Sequence, residues 1–293
     1  MFKTNVRVQS NVMTHQSNMP GQNAITLRQM MEQSEEQISL AEAALLIAAS
    51  EYPELDAAEY IERLDTMAGN IRQQIKGEAD ALQTIAGINR YLFEEEGFCG
   101  NADDYYDPRN SFLNEVLDRK TGIPITLSTV YLEIAERLKL PLVGVGLPGH
   151  FLVKHPSFDI LIDPFSKGRI LSEDDCREQM TQLLGESVPF QKSYLEAVSK
   201  RHIIGRMLNN LRTIYVNAKQ FQKALSITGM AVAVHPDSAL EWKQRAAILI
   251  HMRRHGEAIA DLNRYLELAP EAEDAKEIRQ VATDLRKSLA QFN

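Results

Sequence analysis

Apolar and polar positions change rhythm three times along this chain of 293 residues. Residues 1–24 are polar, rich in Asn, Gln and Ser, and show no apolar period, which predicts a disordered or loosely attached start. Three helical segments follow. Ser39 with Glu42 forms a Ser-x-x-Glu capping box before "LAEAALLIAASEYP", and Asp56 with Glu59 repeats that spacing before "AAEYIERLDTMAGNIRQQI". The third covers "ADALQTIAGINRYLFEEEGF" and ends near Gly97. The stretch "GFCGNADDYYDPRN" reads as a loop, because Gly, Asn, Asp and Pro dominate it. A short helix, "SFLNEVLDRKTG", follows with Asn110 as N-cap and Gly122 as stop. A longer one starts at Pro124, which suits a first helical position because no N–H is needed there. Its residues Leu127, Val130, Tyr131, Ile134 and Leu138 make a buried stripe at helical spacing.

Alternation then replaces the helical period. "PLVGVGL" (141–147) predicts a strand, and "GHFLVKHPSFDILIDPF" (149–165) predicts a hairpin. With Pro156-Ser157 as the turn, counting outward sets His150 opposite Asp163, on the same face of the sheet. "GRILS" predicts another strand, and Ser172 caps a further helix, "EDDCREQMTQLL". Beyond about residue 190 only helical periodicity remains. Leu208 and Trp242, Tyr215 and Leu249, Ala224 and Ala258, and Pro236 and Pro270 recur 34 residues apart. That is the tetratricopeptide (TPR) period, although Thr228 and Arg245 stand where Phe and Leu are usual. A generic pair of helical hairpins is the alternative. Two repeats bury too little alone, so a helix near 190–204 and the last helix, "DAKEIRQVATDLRKSLAQF", are expected to complete the stack, which docks on the first domain.

Composition narrows the function classes. The net charge of −8, with no Lys/Arg cluster interleaved with aromatics, disfavours direct nucleic-acid binding. Cys99 and Cys176 lack the spacing of a disulfide framework or a zinc site. The first residues lack the apolar core of a secretory signal, and no apolar run approaches a membrane span, so a cytoplasmic location is expected. There is no phosphate-cradling glycine loop, and Asp103-Asp104-Tyr105-Tyr106-Asp107 lacks the spacing of a calcium loop. No cofactor and no metal site is expected. His235, His251 and His255 read as surface residues.

The candidate chemistry is the His150–Asp163 pair, two thirds of an acyl-transfer triad. A satisfied polar bridge that pins the hairpin is the plainer alternative, worth on the order of 1.5–3 kcal/mol. A helix preceded by Gly-x-Pro, then strands, then His at a strand start and Asp thirteen residues on resembles the transglutaminase-like branch of the papain-type fold. That resemblance implies a cysteine nucleophile at the front of the central helix, a histidine base and an orienting aspartate, the last two being His150 and Asp163 here. The nucleophile slot falls at Pro124, Ile125 and Thr126, and none is a cysteine. Cys99 lies in the preceding loop and Cys176 in a later acidic helix. The hydroxyls of Thr126 and Ser128 are possible substitutes; binding backbone groups at the helix start is their ordinary role. Asn110, Glu115 and Pro124 are candidate cleft residues.

"EYPELD" (51–56), "LFEEEGFCGN" (92–101), "YYDPRNSFLNEVLDRKTGIPITLSTVYLEIAERL" (105–138), "GHFLV" (149–153) and "IDPFSKGRIL" (162–171) resemble the SirB-type proteins. These join a transglutaminase-like domain, generally without the cysteine, to C-terminal TPRs, and a related domain occurs in a eukaryotic F-box protein. The expected fold is therefore α+β. A papain/transglutaminase-like domain with an N-terminal helical scaffold spans 25–190, and an all-α TPR-like domain spans 191–293. The expected function is that of a degenerate, non-catalytic adaptor or regulator, binding a protein or peptide through the TPR region, with Asn209, Arg212 and Lys243 on the binding face. The rival is an amide hydrolase or acyl transferase using His150 and Asp163 with a non-cysteine nucleophile, Thr126 foremost, or an activated water. A regulator of transcription acting through protein contacts is a third reading. Oligomeric state, partner and substrate stay open.

Overall fold

The structure is a computed structural model, and it describes residues 21–75, 79–158 and 160–291. Most of the polar start lies outside the described residues. Helix α1 (Gln22–Met31) already includes positions 22–24, so helix begins earlier than the apolar period does.

Three helices build the scaffold. The Ser39 hydroxyl accepts the Glu42 N–H (3.2 Å) and starts α2 (Leu40–Ala48). Every residue of α2 but Glu42 is buried, since a run of Ala and Leu lets neighbours close in from all sides. Asp56 starts α3 (Ala57–Gln74) by accepting from Ala58 N–H, not through Glu59. Asp80 and Gln83 form a reciprocal capping box for α4 (Ala81–Asn89), which widens into a π-helical turn at Arg90–Glu95. Strand β1 (Cys99–Gly100) pairs in parallel with β2 (Thr121–Gly122), immediately ahead of the central helix.

Between those strands the chain departs from the sequence reading. Pro108–Ser111 is a 3-10 turn, and α5 (Leu113–Arg119) starts at Phe112 and stops at Lys120, held in a left-handed conformation (φ 55°). Asn110 is therefore not the cap, and Gly122 not the stop. Helix α6 (Pro124–Arg137) starts at Pro124, as the pattern indicates, and is buried from Pro124 to Ala135.

The sheet contains β3 (Val143–Val145), β4 (Leu152–His155), β5 (Ile160–Asp163), β6 (Arg169–Leu171) and β7 (Ala197–Val198). All neighbours are antiparallel, in the order β6-β5-β4-β3-β7. His155 pairs with Ile160 and Val153 with Ile162, so the hairpin register is two residues away from the one expected with a Pro156-Ser157 turn. A longer connection relieves Pro156 of any place in the ladder. One face of the sheet (Phe151, Val153, Ile162) packs with α6 into the main core. The other (Val145, Leu147, Leu152, Leu161, Leu171) closes over Cys176 and Met180 of α7 (Glu173–Leu184) and over Leu195.

The segment after 190 is not helical throughout. A 3-10 turn at Lys192–Leu195 and strand β7 precede α8 (Lys200–Asn217), capped by Ser199. Then come α9 (Phe221–Val234), α10 (Ala239–His251), α11 (His255–Leu268) and α12 (Ala275–Gln291). The limits of α9 and α11 are 34 residues apart, as are the left-handed turn residues Lys219 and Arg253. Both departures from the repeat pattern have causes. Arg245 reaches the buried carboxylate of Asp261 with two 2.7 Å hydrogen bonds, and the Thr228 hydroxyl donates to Ala224 O (3.0 Å).

The front of the helical array shares the first domain's core, whereas α10–α12 close a small one of their own around Ala246, Leu262 and Ala282. One continuous apolar core runs from Leu27 through α2, α6 and the sheet to α8, α9 and Ile248. Helix α8 inserts Ile203, Ile204, Met207, Leu208, Leu211 and Tyr215 into it. Polar ties add register: Lys200 Nζ donates to Ile38 O (2.8 Å), Arg201 to Met31 O, and Tyr215 Oη to Glu51 (3.3 Å). Among the described residues no helix is long and apolar enough to cross a membrane.

Candidate functional site

The sequence-predicted pair does meet, by a different route from the one expected. In the observed register Asp163 lies across from position 152, and His150 stands diagonally off the end of β4. Gly149, at φ +76°, turns the chain so that His150 N–H donates to Leu147 O (3.0 Å). His150 Nε2 then lies 3.0 Å from Asp163 Oδ1, with the side chains 5% and 1% exposed. Nε2 sits off the line of an aligned hydrogen bond, so the attraction is one of charge and dipole.

Asp163 has other work. Its Oδ1 accepts from Phe165 N–H (3.0 Å) and Ser166 N–H (3.3 Å), and its Oδ2 from the Ser166 hydroxyl (2.8 Å). Burial pushes its pKa up, but the contacts with His150 and Ser166 outweigh burial and hold it below the usual carboxylate value. The turn it organises delivers Phe165 edge-on to the imidazole, with centroids 5.9 Å apart and planes at 84°. Tyr105 meets Phe165 edge-on in turn at 6.5 Å. Gly100 permits this: a Cβ there would stand 2.5 Å from the Phe165 ring. Aromatic side chains thus cover one side of the histidine.

The front of α6 offers no free hydroxyl. Thr126 Oγ1, fully buried, accepts from Ile123 N–H (3.1 Å) and donates to the carbonyl of Asn110 (2.8 Å) or Ile123 (3.1 Å). Ser128 is also buried and reaches Phe151 O at a long 3.5 Å. Cys99 Sγ lies 3.6 Å from Thr121 Oγ1. Cys176 is fully buried; burial first, then Asp175, Asp163 and Glu173, push its thiol up to about 11. A thiol so placed stays protonated near neutrality and is a poor nucleophile.

The remaining predicted residues lie elsewhere. Asn110 is buried and knits the preceding loop, donating to Asp104 O (2.7 Å) and accepting from Asn101 (3.3 Å) and Arg119 (3.4 Å). Glu115 partners the Tyr52 hydroxyl, in the turn that follows α2. On the repeats, Arg212 is bound to Glu241 (2.7 Å) and to Asn209, and Lys243 is bound to Asp274. The polar residues expected on the binding face are engaged within the chain. His235, read as a surface residue, is half-buried with its ring against the backbone of Gly205.

One residue beside the site was not anticipated. Arg206, on α8, donates through Nη2 to His150 O (2.9 Å) and through both Nη atoms to Leu147 O (3.5 and 3.4 Å). Its guanidinium also lies over the Phe151 ring, 5.3 Å from the centroid. Nothing local marks it, because it reads as one more polar position on a helix.

Comparison with known proteins places this geometry in context. The profile of the transglutaminase-like superfamily matches residues 58–209, and that of the tetratricopeptide repeat matches 211–283. A UPF0162 protein of Xylella fastidiosa is 35% identical over 88% of this chain and 93% of its own length. Protein SirB1 of Salmonella typhimurium is 24% identical over 83% and 93%. Human F-box only protein 21 is 30% identical over 58% of this chain and 28% of its own.

Proposed function

From a chain that belongs to the transglutaminase-like superfamily and carries a tetratricopeptide repeat behind that domain, we propose a non-catalytic adaptor or regulator. It works in the cytoplasm and binds other proteins through the repeats rather than nucleic acid. The observation that carries this reading is the state of the helix front. Pro124 occupies the first position of α6, and the Thr126 hydroxyl is consumed by the backbone of Ile123 and Asn110. A hydroxyl attacks a carbonyl only when a base can take its proton, and this proton is held by a carbonyl oxygen instead. Phe165 against the imidazole supports the same reading. The TPR repeats supply the binding class: a superhelical array offers a long surface suited to a partner helix or extended peptide.

A second reading, an amide hydrolase or acyl transferase using an activated water, draws on one observation. His150 keeps an oriented carboxylate at 3.0 Å while its Nδ1 makes no hydrogen bond among the described contacts. Cross-linked capture separates the two, using the full chain, His150→Ala and Lys243→Glu with Asn209→Ala. A partner retained by His150→Ala and lost by the repeat variant supports the adaptor. A partner that wild type cleaves or modifies and His150→Ala merely holds refutes it.

A further inference from the structure

A recess of about 450 Å³ opens where α8 meets the first domain, and its lining includes neither His150 nor Asp163. The end of α6 makes one wall. Lys139, left-handed at φ +62°, turns the chain there, Leu140 N–H donates to Ala135 O (2.9 Å), and Leu140, Pro141 and Leu142 lead back into β3. Val143 of β3, Val198 of β7 and Ile203 of α8 line the other sides. The rim is charged, with Glu35 and Glu36 from the 3-10 turn Glu35–Gln37, Glu136, Lys139 and Lys200. Lys200 spans the walls and fixes them: its N–H is bound to Glu35, and its Nζ to Ile38 O (2.8 Å) and Glu136 (3.3 Å). An aliphatic recess built in advance, within the roughly 300–1,000 Å³ of ligand pockets, spares a ligand the cost of ordering the protein.

A second recess, of about 370 Å³, continues from the first across Glu36 and Glu136, which line both. It is polar and acidic. Its Arg137 is already shared between Glu133 (2.5 Å) and Asp65 (2.6 Å). No cation comes within 4 Å of Glu36 among the described residues, and Lys200 acts on it only from farther away. Together the two recesses hold five carboxylates against Arg137, Lys139 and Lys200. Acid stays in excess even with Arg72, which reaches the Arg137 carbonyl from outside them. Lys139 lines only the aliphatic recess, which leaves the acidic one to attract a cation.

We infer that these joined recesses seat a partner peptide in which a leucine or phenylalanine stands next to a lysine or arginine. The apolar side chain fills the aliphatic recess, and the cation lies against Glu36 and Glu136. This rests on the protein-binding reading above and gives it a second surface, at the root of the repeats rather than along them. Charge complementarity selects the basic neighbour, and burial in the aliphatic recess supplies the affinity.

The test uses the full chain and immobilised hexapeptides alike except at two adjacent positions, which are Lys-Leu, Glu-Leu or Lys-Ser. Lys-Leu should bind about tenfold tighter than Lys-Ser, from burial of the leucine, and about fivefold tighter than Glu-Leu, from the rim charges. Glu36→Lys changes an exposed residue, so it should leave the melting temperature within about 2 °C and erase the charge preference. Val198→Trp should fill the aliphatic recess and erase the leucine preference; Leu142→Ser, which makes its wall polar, serves if that variant fails to fold. Loss of each preference in its own variant supports the seat. Binding without either preference, or a preference that survives its folded variant, overturns the inference and leaves the adaptor standing. Binding to no peptide overturns it as well, and the repeat-variant capture then decides the adaptor separately. Sedimentation that finds wild type dimeric and Val198→Trp monomeric would make a second copy the occupant, which also overturns it.

Discussion

Asp163→Asn isolates the charge at the centre of the site. Asparagine can keep its oxygen where Oδ1 accepts from Phe165 and Ser166, and its NH2 can donate to the Ser166 hydroxyl once that hydroxyl turns round. What disappears is charge. A hydrogen bond to an ionised group contributes about 1.5–3 kcal/mol and a neutral one about 1. With two amide bonds, one hydroxyl bond and the His150 contact weakened, we expect a loss of about 2–4 kcal/mol at pH 7, or roughly 3–7 °C in melting temperature for a chain of 293 residues. Urea unfolding over a pH series checks the cause. The folded pKa of Asp163 is depressed, so its stabilisation is fully present above the unfolded value of about 3.9 and is lost as pH falls through the folded value. The gap between wild type and variant should stay flat from about pH 8 to 5 and close below about 4. A gap under about 0.5 kcal/mol at pH 7 would refute the reasoning. So would a gap that changes through pH 6–7, well above any carboxylate held below its usual value.

Two further outcomes follow from the helix front and the thiols. Thr126→Ala strands the buried Ile123 N–H and should cost about 1–3 kcal/mol in urea unfolding, with Thr126→Ser restoring most of it; a neutral Thr126→Ala would show that the hydroxyl is not spent on the backbone. A thiol reagent at mild alkaline pH should modify half-buried Cys99 in the folded protein and reach Cys176 only on unfolding. Mass spectrometry that finds Cys176 modified first would contradict its burial and raised pKa.

Legibility in the sequence followed the range of the interaction. Caps at Ser39, Pro124 and Ser172 were readable because each depends on neighbours within a turn. The 34-residue repeat was readable because packing between equivalent helices imposes it. His150 and Asp163 were readable as a pair, but their register was not. A two-residue shift keeps every side chain on its own face, so hydrophobic alternation cannot detect it. Asn110 was misread because a cap and a loop clasp use the same amide, and only the position of Asp104 decides between them. Strand β7 is two residues long and exists because β3 offers it an edge. Arg206 was invisible for the same reason in stronger form. Its partners lie 56 and 59 residues away, and an arginine on a helix has no local signature of being buried.

Helix α8 has a consequence for how this molecule is inherited and handled. The two family profiles meet at 209 and 211, in the middle of an unbroken helix whose apolar side belongs to the neighbouring domain's interior. A seam through such an element cannot be cut without exposing greasy surface on both fragments. Helices α8 and α9 are thus not detachable cargo: cutting the chain between the two profiles would yield sticky, poorly soluble pieces, whereas α10–α12 carry a small core of their own. What looks in one dimension like two modules joined end to end shares, in three, its first repeat helices with the domain before them.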